Sequence, residues 1–364
     1  MRLKQEEAMR KRMFPFFAAA FFGLLFLSEA SIAFAQEPYY KGKTVRFLVN
    51  FSAGGPTDVF GRLIARYLPK YVAGSPTVVV QNMGGAGGVI GANYVYDLTK
   101  PDGLTVGVFS GMYFPQLLGG SGVRYDLNNM PIIAGAAETS IVYVRADTGV
   151  KAPADLLKPA KPIVVGGFTR ENNKDLGLRL ALDLLGVPYR YVTGYAGVAE
   201  LRVAIQRGEI NYTSESLTGY NTGGILMVRE GVVVPLYQEG LLGPDGEIIR
   251  DSRSDLPSFR ELFRKLKGSD PSGPLAEAFK ISGGSRTMLR FITVPPKTPT
   301  ELIQILRKAF ADIFNDPDFK AESDRVLQFQ LLTFVGEDAE KVNASVFRAA
   351  TGPAREALKK MTQE

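Results

Sequence analysis

The stretch that decides the fold is TVRFLVNFSAGGPTD, residues 44–58. Its first six residues are β-branched or apolar apart from one arginine, which predicts a buried strand. A loop of small residues follows, and Pro56 stands at the first position of a helix. Proline is favoured there because the N–H group it lacks would have no partner within the helix. Apolar side chains then recur at helical spacing from Val59 to Leu68, within a helix predicted over 57–71. The stretch therefore predicts strand, glycine loop and helix, the unit from which α/β folds are built.

The same unit recurs along the chain, which predicts an α/β fold with mostly parallel sheets flanked by helices. The 364 residues exceed a usual single domain, so we expect two lobes. Later helices are expected at 176–185 and 198–206, and three more at 259–267, 300–314 and 338–350. The strands predicted after the first lie at 77–80, 104–109, 141–144, 162–165, 189–192, 209–213 and 232–237.

The N-terminal segment has the composition of an export signal. Basic residues cluster between Arg2 and Arg12, and the apolar run 16–27 is too short to cross a bilayer as a helix, which takes about 20 residues. The sequence Ala33-Phe34-Ala35 matches a signal peptidase site. We therefore expect residues 1–35 to be removed near Ala35 and the rest of the chain to work in the periplasm.

The composition excludes several classes of function. The chain has no cysteine and no histidine, which removes the usual zinc ligands, Ser-His-Asp triads and Cys-His nucleophile pairs. After the export signal the net charge is +4 and the basic residues are scattered, so nucleic-acid binding is not expected. We expect no catalytic residue, no metal and no cofactor.

The loops that follow the predicted strands are the candidate binding elements, because ligands of open α/β sheets bind beyond the carboxyl ends of the strands. The loop Phe51 to Asp58 ends at a helix N-terminus, where unpaired N–H groups and the helix dipole favour a carboxylate or phosphate. Gly194, Tyr195 and Ala196 precede a second such helix start. Asp58 can either stabilise its helix end or contact the ligand directly.

The loop 82–91 is rich in glycine but does not match a nucleotide-binding motif. Ile90 stands where the dinucleotide fingerprint has its third glycine, and no Gly-Lys-Ser/Thr closes a P-loop. The glycines allow either a tight turn or close backbone approach to another ligand. Arg170 and Glu215 lie in the remaining loops and are either solvated or ligand-bound; a cleft-facing Glu215 would oppose an anion or attract an amine.

Several motifs together resemble the extracytoplasmic solute receptors of tripartite tricarboxylate transporters, the Bug family. They are Phe51-x-x-Gly54-Gly55-x-x-Asp58, Asn82-x-x-Gly85-Ala86-Gly87-Gly88-x-x-Gly91, Pro101-Asp102-Gly103, Asp255-Leu256-Pro257-Ser258-Phe259 and Pro295-Pro296-Lys297-Thr298-Pro299. The resemblance implies a two-lobed periplasmic-binding-protein-like clamp with two crossing hinge strands, near 141–144 and 232–237. It also implies capture of a small organic carboxylate for delivery to a membrane permease.

The resemblance implies lobe boundaries and a set of binding residues. Lobe 1 is expected to comprise 36–142 and 237–364, and lobe 2 to comprise 143–236. The loop 166–170 lacks the small-residue run usual in the family, which leaves the ligand open. The candidate ligand-binding residues are Phe51, Ser52, Ala53, Gly54, Gly55, Thr57, Asp58, Asn82, Gly85, Ala86, Gly87, Thr169, Arg170, Gly194, Tyr195, Ala196, Ser214 and Glu215.

Two other functions remain open at this stage. The same clamp could present its ligand to a membrane signalling partner instead of a permease, since both roles need the same closed liganded state. A periplasmic hydrolase is the other alternative, but the sequence has no Gly-x-Ser-x-Gly elbow and no Ser-x-x-Lys motif to support it.

Overall fold

The computed structural model describes residues 37–243, 245–350 and 352–363. This part of the chain forms two α/β lobes, each built on one β-sheet with flanking helices. The predicted export signal, residues 1–35, lies outside the described residues. None of the described helices combines the length and apolar character needed to cross a membrane.

The strands and helices are numbered here in chain order. The strands are β1 (Thr44–Val49), β2 (Thr77–Asn82), β3 (Thr105–Ser110), β4 (Ile132–Ala137), β5 (Ser140–Arg145), β6 (Ile163–Gly166), β7 (Tyr189–Val192), β8 (Tyr212–Ser216), β9 (Val233–Gln238), β10 (Leu241–Leu242), β11 (Ile248–Ile249), β12 (Arg290–Thr293) and β13 (Leu332–Val335). The helices of the first half are α1 (Pro56–Ala65), α2 (Leu68–Tyr71), α3 (Val89–Leu98), α4 (Tyr113–Leu118), α5 (Asn173–Leu185), α6 (Val198–Arg207), α7 (Leu217–Gly219) and α8 (Ile225–Arg229). Those of the second half are α9 (Phe259–Lys267), α10 (Pro274–Arg286), α11 (Thr300–Asn315), α12 (Pro317–Leu327), α13 (Glu337–Ala349) and α14 (Gly352–Gln363).

The first sheet has the strand order β13-β4-β12-β3-β1-β2. Strand β1 lies parallel to β2 and β3, and its residues Phe47, Leu48 and Val49 are fully buried. Strands β12, β4 and β13 extend the sheet with antiparallel pairs. The parallel half therefore carries the loop 50–55, which leads from β1 into α1.

The second sheet has the strand order β7-β6-β8-β5-β9. Strands β7, β6 and β8 are parallel, whereas β5 pairs antiparallel with both β8 and β9. The two expected hinge strands are thus neighbours within this sheet. The chain passes between sheets at Glu138 and Thr139, just before β5, and leaves the second sheet after Gln238. The lobe boundaries near 142 and 236 stay a prediction.

The two-lobed α/β fold is confirmed, and both sheets are mixed rather than mostly parallel. Two antiparallel strands of the first sheet, β4 and β12, were missed for a physical reason. Strand β4 has the sequence IIAGAA, whose small residues carry little strand propensity. Strand β12 has only four residues and joins the sheet from a distant part of the chain.

Two helix boundaries differ instructively from the prediction. The helix expected over 57–71 is split into α1 and α2, because Pro69 has no N–H group to continue the hydrogen-bond ladder. Helix α5 starts at Asn173 rather than near residue 176, because the side chain of Asn172 accepts a hydrogen bond from the Lys174 N–H and caps the helix.

Candidate ligand-binding site

A narrow cavity lies between the two lobes, beyond the carboxyl ends of β1, β3 and β8. Its volume is about 60 Å³, which liquid water fills with about two molecules. Phe51 and Ser110 contribute to it from the first lobe, and Phe168 and Ser216 from the second. This is the position at which the strand pattern predicts a ligand crevice.

Three helix N-termini meet at this cavity. Its lining includes Gly55 to Thr57 at the start of α1, Asn172 to Lys174 at the start of α5, and Gly197 to Ala199 at the start of α6. The first N–H groups of a helix have no partner within the helix, and the N-terminal end carries a partial positive charge. Their convergence therefore favours an anionic group in the cavity.

The three helix ends differ in whether a side chain already caps them. Helix α5 is capped by Asn172, whose Oδ1 accepts from the Lys174 N–H at 3.0 Å. Helices α1 and α6 begin after Gly55 and Gly197, which have no side chain to cap them. The first-turn N–H groups of α1 and α6 are thus the more available donors for a ligand.

The first-lobe loop is fixed by Asp58, which is 3% exposed. Its carboxylate accepts hydrogen bonds from the Gly54 N–H at 2.9 Å, from Arg62 Nε at 2.9 Å and from Asn82 Nδ2 at 3.0 Å. Asn82 Nδ2 also donates to the Phe51 carbonyl at 2.9 Å. Burial alone would raise the pKa of Asp58, but these hydrogen bonds outweigh it and hold the pKa below its ordinary value. In this structure Asp58 supports the loop.

The second-lobe loop is fixed in the same way by Asp175, which is fully buried. One carboxylate oxygen accepts from the N–H groups of Phe168 and Thr169, at 2.5 and 2.9 Å, and from the Tyr191 hydroxyl at 2.9 Å. The other oxygen forms an ion pair with Lys174 Nζ at 2.9 Å. The loop between β6 and α5 is therefore held by one acid.

The charged side chains that line the cavity are Lys174, Glu215, Arg286 and Arg290, and each has a partner of opposite charge. These partners are Asp175, Arg202, Glu239 and Glu138, respectively. The side chains thus contribute no net formal charge to the cavity. The electrostatic preference for an anion comes from the helix ends instead.

One wall of the cavity, which we call the arginine wall, consists of Arg286, Leu289 and Arg290. Both arginines are 1% exposed, and the Nε atom of each has no hydrogen-bond partner among the described residues. Arg286 pairs with the buried Glu239; burial raises the pKa of that acid, and the guanidinium opposes the rise. Arg290 donates to Glu138 and to Ser216 Oγ, the latter at 2.6 Å.

Glu215 lines the cavity, and the charge of its carboxylate is neutralised by an ion pair with Arg202. Arg202 Nε donates to Glu215 Oε1 at 3.0 Å and the second guanidinium nitrogen reaches Oε2. The Tyr143 hydroxyl donates to Oε1 at 2.5 Å. Burial lowers the pKa of Arg202, but its contact with Glu215 outweighs this and raises the pKa above its ordinary value. Glu215 therefore neither repels an anion strongly nor offers a free charge to an amine.

The two lobes touch at the rim of the cavity. The Phe51 and Phe168 rings are 5.4 Å apart, and Asn172 Nδ2 donates to the Gly87 carbonyl at 3.5 Å. A Cβ atom at Gly197 would lie 3.2 Å from Ser52 Oγ, so the two loops approach each other closely. The described conformation is thus one in which the cleft is closed.

The structure brings some of the predicted site residues to the cavity and places others around it. The residues that line it are Phe51, Ser52, Gly55, Thr57 and Glu215. The residues that form or support the first-lobe loops are Ala53, Gly54, Asp58, Asn82, Gly85, Ala86 and Gly87. Their ligand contacts stay a prediction.

The predicted residues of the second lobe are more dispersed. Thr169 faces Gly87, and Arg170 is half-buried and pairs with no acid among the described residues. Ser214 is buried, with its hydroxyl unpartnered in the described chain. Gly194 and Ala196 belong to the loop before α6, and Tyr195 lines a separate open pocket with Glu200 and Arg207. These assignments also stay predictions.

Sequence reasoning missed the start of α5 and the arginine wall. The Asn172-Asn173 pair before an apolar run was a usable signal, because asparagine is a preferred helix cap. No local pattern marks Arg286 or Arg290, whose acidic partners lie 47 and 152 residues away along the chain.

The chain is similar to several known proteins. No protein-family model matches the chain. A UPF0065 protein of Agrobacterium vitis, from the TAR-I ttuE-ttuC' intergenic region, is 30% identical over 203 residues, 52% of this chain and 56% of the relative. The chain thus spans about half the length of that curated relative.

Solved structures match over more of the chain. The periplasmic binding protein BugD superposes with a TM-score of 0.66 at 21% identity, covering 88% of this chain and 98% of BugD. MatC from Rhodopseudomonas palustris with bound malate gives a TM-score of 0.63 at 18% identity, covering 88% of this chain and 99% of MatC. At these identities the superpositions establish the fold. Together with the curated relative they agree with the resemblance of the loop motifs: the chain is similar to UPF0065 and Bug proteins.

Proposed function

We propose that the protein is a periplasmic solute receptor that captures a small organic carboxylate in the interlobe cavity. It delivers the solute to a tripartite tricarboxylate-type membrane permease, without chemical turnover. The observation that carries the proposal is the convergence of three helix N-termini on one closed cavity, two of them without a side-chain cap. A ligand carboxylate would supply the acceptors that these N–H groups lack.

The balance of charges supports an anion held by backbone groups. Every charged side chain that lines the cavity has a partner, so none needs the ligand for neutralisation. The helix ends provide a fixed positive potential that does not depend on mobile side chains. The bound malate of MatC, whose fold this chain shares, is consistent with the same class of ligand.

The size of the cavity favours a short aliphatic acid. In the closed conformation the enclosed space of about 60 Å³ is narrow, and Phe51 and Phe168 already contact each other at its rim. An aromatic acid would have to separate these rings and hold the lobes apart. We therefore rank small aliphatic acids above benzoate-type acids.

The sensor alternative uses the same cavity and the same closed state, so ligand binding does not separate it from the transport role. The two roles are distinguished by a pull-down of membrane proteins with the liganded receptor. Recovery of a permease supports transport, and recovery of a signalling protein supports the sensor role. For the hydrolase alternative, the structural relatives named above are solute-binding proteins, and no observation at the cavity favours it.

The test is binding by the protein expressed from the full-length chain. Its thermal unfolding is measured by calorimetry against monocarboxylates, di- and tricarboxylates, acidic amino acids and aromatic acids, after co-purified ligand has been removed. An acid at 100 times its dissociation constant adds about 2.7 kcal/mol to the stability of the folded state. We expect a selective rise in the midpoint with short aliphatic acids, and no consumption of the acid. No rise with any acid of the panel would overturn the proposal.

A further inference from the structure

We infer that Ser216, positioned by Arg290, is a specificity-determining residue. Its hydroxyl donates a hydrogen bond to an acceptor at the end of the ligand that lies opposite the bound carboxylate. The inference rests on the proposed function, because it concerns the same cavity. The ligand carboxylate is held by the helix ends of α1 and α6, and the far end meets the arginine wall. Ser216 and Arg290 both line the cavity at this wall.

The hydrogen bonds of Ser216 fix the direction of its hydroxyl proton. Its Oγ accepts from a terminal guanidinium nitrogen of Arg290 at 2.6 Å and from the Gly219 N–H at 3.3 Å. A serine hydroxyl has two acceptor sites and one donor proton. Both acceptor sites are thus occupied, and the hydroxyl donates to no residue of the described chain. The proton remains for a ligand acceptor.

Arg290 carries a second buried donor beside Ser216. Its guanidinium is held by Glu138, Thr218 and Ser216, which leaves Nε as its unpartnered group within the described chain. The residue is 1% exposed, so that N–H group has little access to solvent. A buried donor without a partner costs free energy, which a ligand acceptor would recover.

Acceptors for a ligand amine are scarce at this end of the cavity. Among the described lining residues the one carboxylate is Glu215, and its oxygens already take three donors from Arg202 and Tyr143. The ammonium group of Lys174 would also repel a second cation. The wall therefore selects an oxygen acceptor, such as a second carboxylate, and discriminates against a terminal amine.

The test compares three probes that share one carboxylate and differ at the other end: succinate, butyrate and 4-aminobutyrate. Binding to the protein expressed from the full-length chain is measured by isothermal titration. If a longer diacid raises the unfolding midpoint more than succinate does in the thermal panel, the titrations use that diacid. Its monoacid and its amino acid of the same length then take the place of butyrate and 4-aminobutyrate. We expect the wild type to bind the diacid about tenfold or more tightly than the monoacid, and the amino acid most weakly.

Variants at Ser216 locate the cause of this preference. Ser216→Ala is expected to weaken diacid binding about tenfold and leave monoacid binding unchanged, whereas Ser216→Thr keeps the hydroxyl and the preference. Ser323→Ala is the matched control, because Ser323 is 2% exposed and its hydroxyl donates to Lys320 within its own helix. That control should bind all probes as the wild type does.

The outcomes separate the inference from the proposed function. A wild type that binds no acid of the thermal panel overturns the proposed function itself. A wild type that binds acids but prefers the monoacid or the amino acid overturns the inference alone. Equal losses of diacid and monoacid binding in Ser216→Ala also overturn it, because they would mean that Ser216 only supports the shape of the cavity.

Discussion

The starts of α1 and α5 face each other across the cavity and use the same device. In each, an aspartate at the third helical position accepts hydrogen bonds from the loop that precedes the helix: Asp58 from Gly54, and Asp175 from Phe168 and Thr169. Each acid also pairs with a base of its own helix, Arg62 or Lys174. Both lobes thus present a helix end on a loop fixed by one buried carboxylate.

The two ends differ in how far they are closed to solvent and ligand. Asp175 is fully buried and the Lys174 side chain is 12% exposed, whereas the Arg62 side chain is 48% exposed. The Asn172 side chain caps α5, while α1 has no side-chain cap. We infer that the α5 end serves mainly to hold the second lobe in shape. The α1 end keeps its N–H groups available for the ligand.

The largest expected effect is on stability, from Asp175→Asn. The substitution keeps the shape of the side chain but leaves the mostly buried Lys174 without its ion pair and weakens the hydrogen bonds to the loop. Breaking one side of a buried ion pair costs about 3 kcal/mol in free energy of unfolding. Urea unfolding at neutral pH measures the loss.

Asp183→Asn is the matched control for that substitution, because Asp183 lies on the exposed side of the same helix. An exposed substitution of this kind is expected to change the free energy of unfolding by about 0.5 kcal/mol or less. Equal losses in the two variants would show that Asp175 does not hold the loop.

A smaller loss is expected for Asp58→Asn, about 1 to 2 kcal/mol, because Arg62 can be solvated when its partner is lost. The folded-state pKa of Asp58 lies below its ordinary value of 3.8, since the bonds from Arg62, Gly54 and Asn82 outweigh burial. A lowered pKa stabilises the fold above 3.8, and that contribution is lost as the pH falls through the folded-state value.

The difference in stability between wild type and Asp58→Asn should therefore be constant from pH 7 down to about pH 4 and shrink below it. Urea unfolding across this pH range measures it. A difference that grows as the pH falls would contradict the assigned hydrogen bonds of Asp58.

Gly55→Asn tests the difference between the two helix ends, because it gives α1 an asparagine cap like the one that Asn172 provides for α5. The backbone at Gly55 has φ −81° and ψ 168°, which any residue can adopt, and an asparagine there can accept from the first-turn N–H groups. We expect stability to rise by about a few tenths of a kcal/mol. Affinity for a carboxylate should fall about tenfold, because the cap competes for the donors.

Gly55→Ala separates competition from crowding. Its Cβ would meet the Ser52 carbonyl at 3.4 Å, an ordinary contact, and it leaves the N–H groups free. Titration of the acid identified in the thermal panel gives the affinities of both variants. If both bind equally well, the N–H groups of α1 do not hold the carboxylate.

Local structure was predictable where the pattern of one short segment determines it. Strand β7 and helix α9 begin and end at the predicted residues, because alternation in the first and helical spacing in the second leave little choice. The position of Asp58 in the first helical turn left a structural role and direct ligand contact both open. Asp175 escaped notice because the start of α5 was placed three residues too late.

The sequence predicted some of the residues that line the cavity and missed others. The loop after β1 supplies Phe51 and Ser52 to the cavity as expected. Glu215 also lines the cavity, but it lies within β8 and not in the loop where the sequence placed it, because the strand runs on to Ser216. The starts of α5 and α6 contribute Lys174 and Val198, which no motif singled out. The sequence of a loop indicates which of its backbone groups are available to a ligand. It does not indicate which side chains from distant parts of the chain line the same cavity.

The sequence by itself determined the strand, glycine loop and helix of residues 44–65, the absence of histidine and cysteine chemistry, and the resemblance to UPF0065 and Bug proteins. These follow from local pattern and composition, which need no knowledge of distant contacts. Only the tertiary structure decided that Arg290 meets Ser216, 74 residues away, and Glu138, 152 residues away. Those contacts exist because β12 returns to the first sheet beside β3 and β4, and pairing between distant strands depends on the packing of the whole chain.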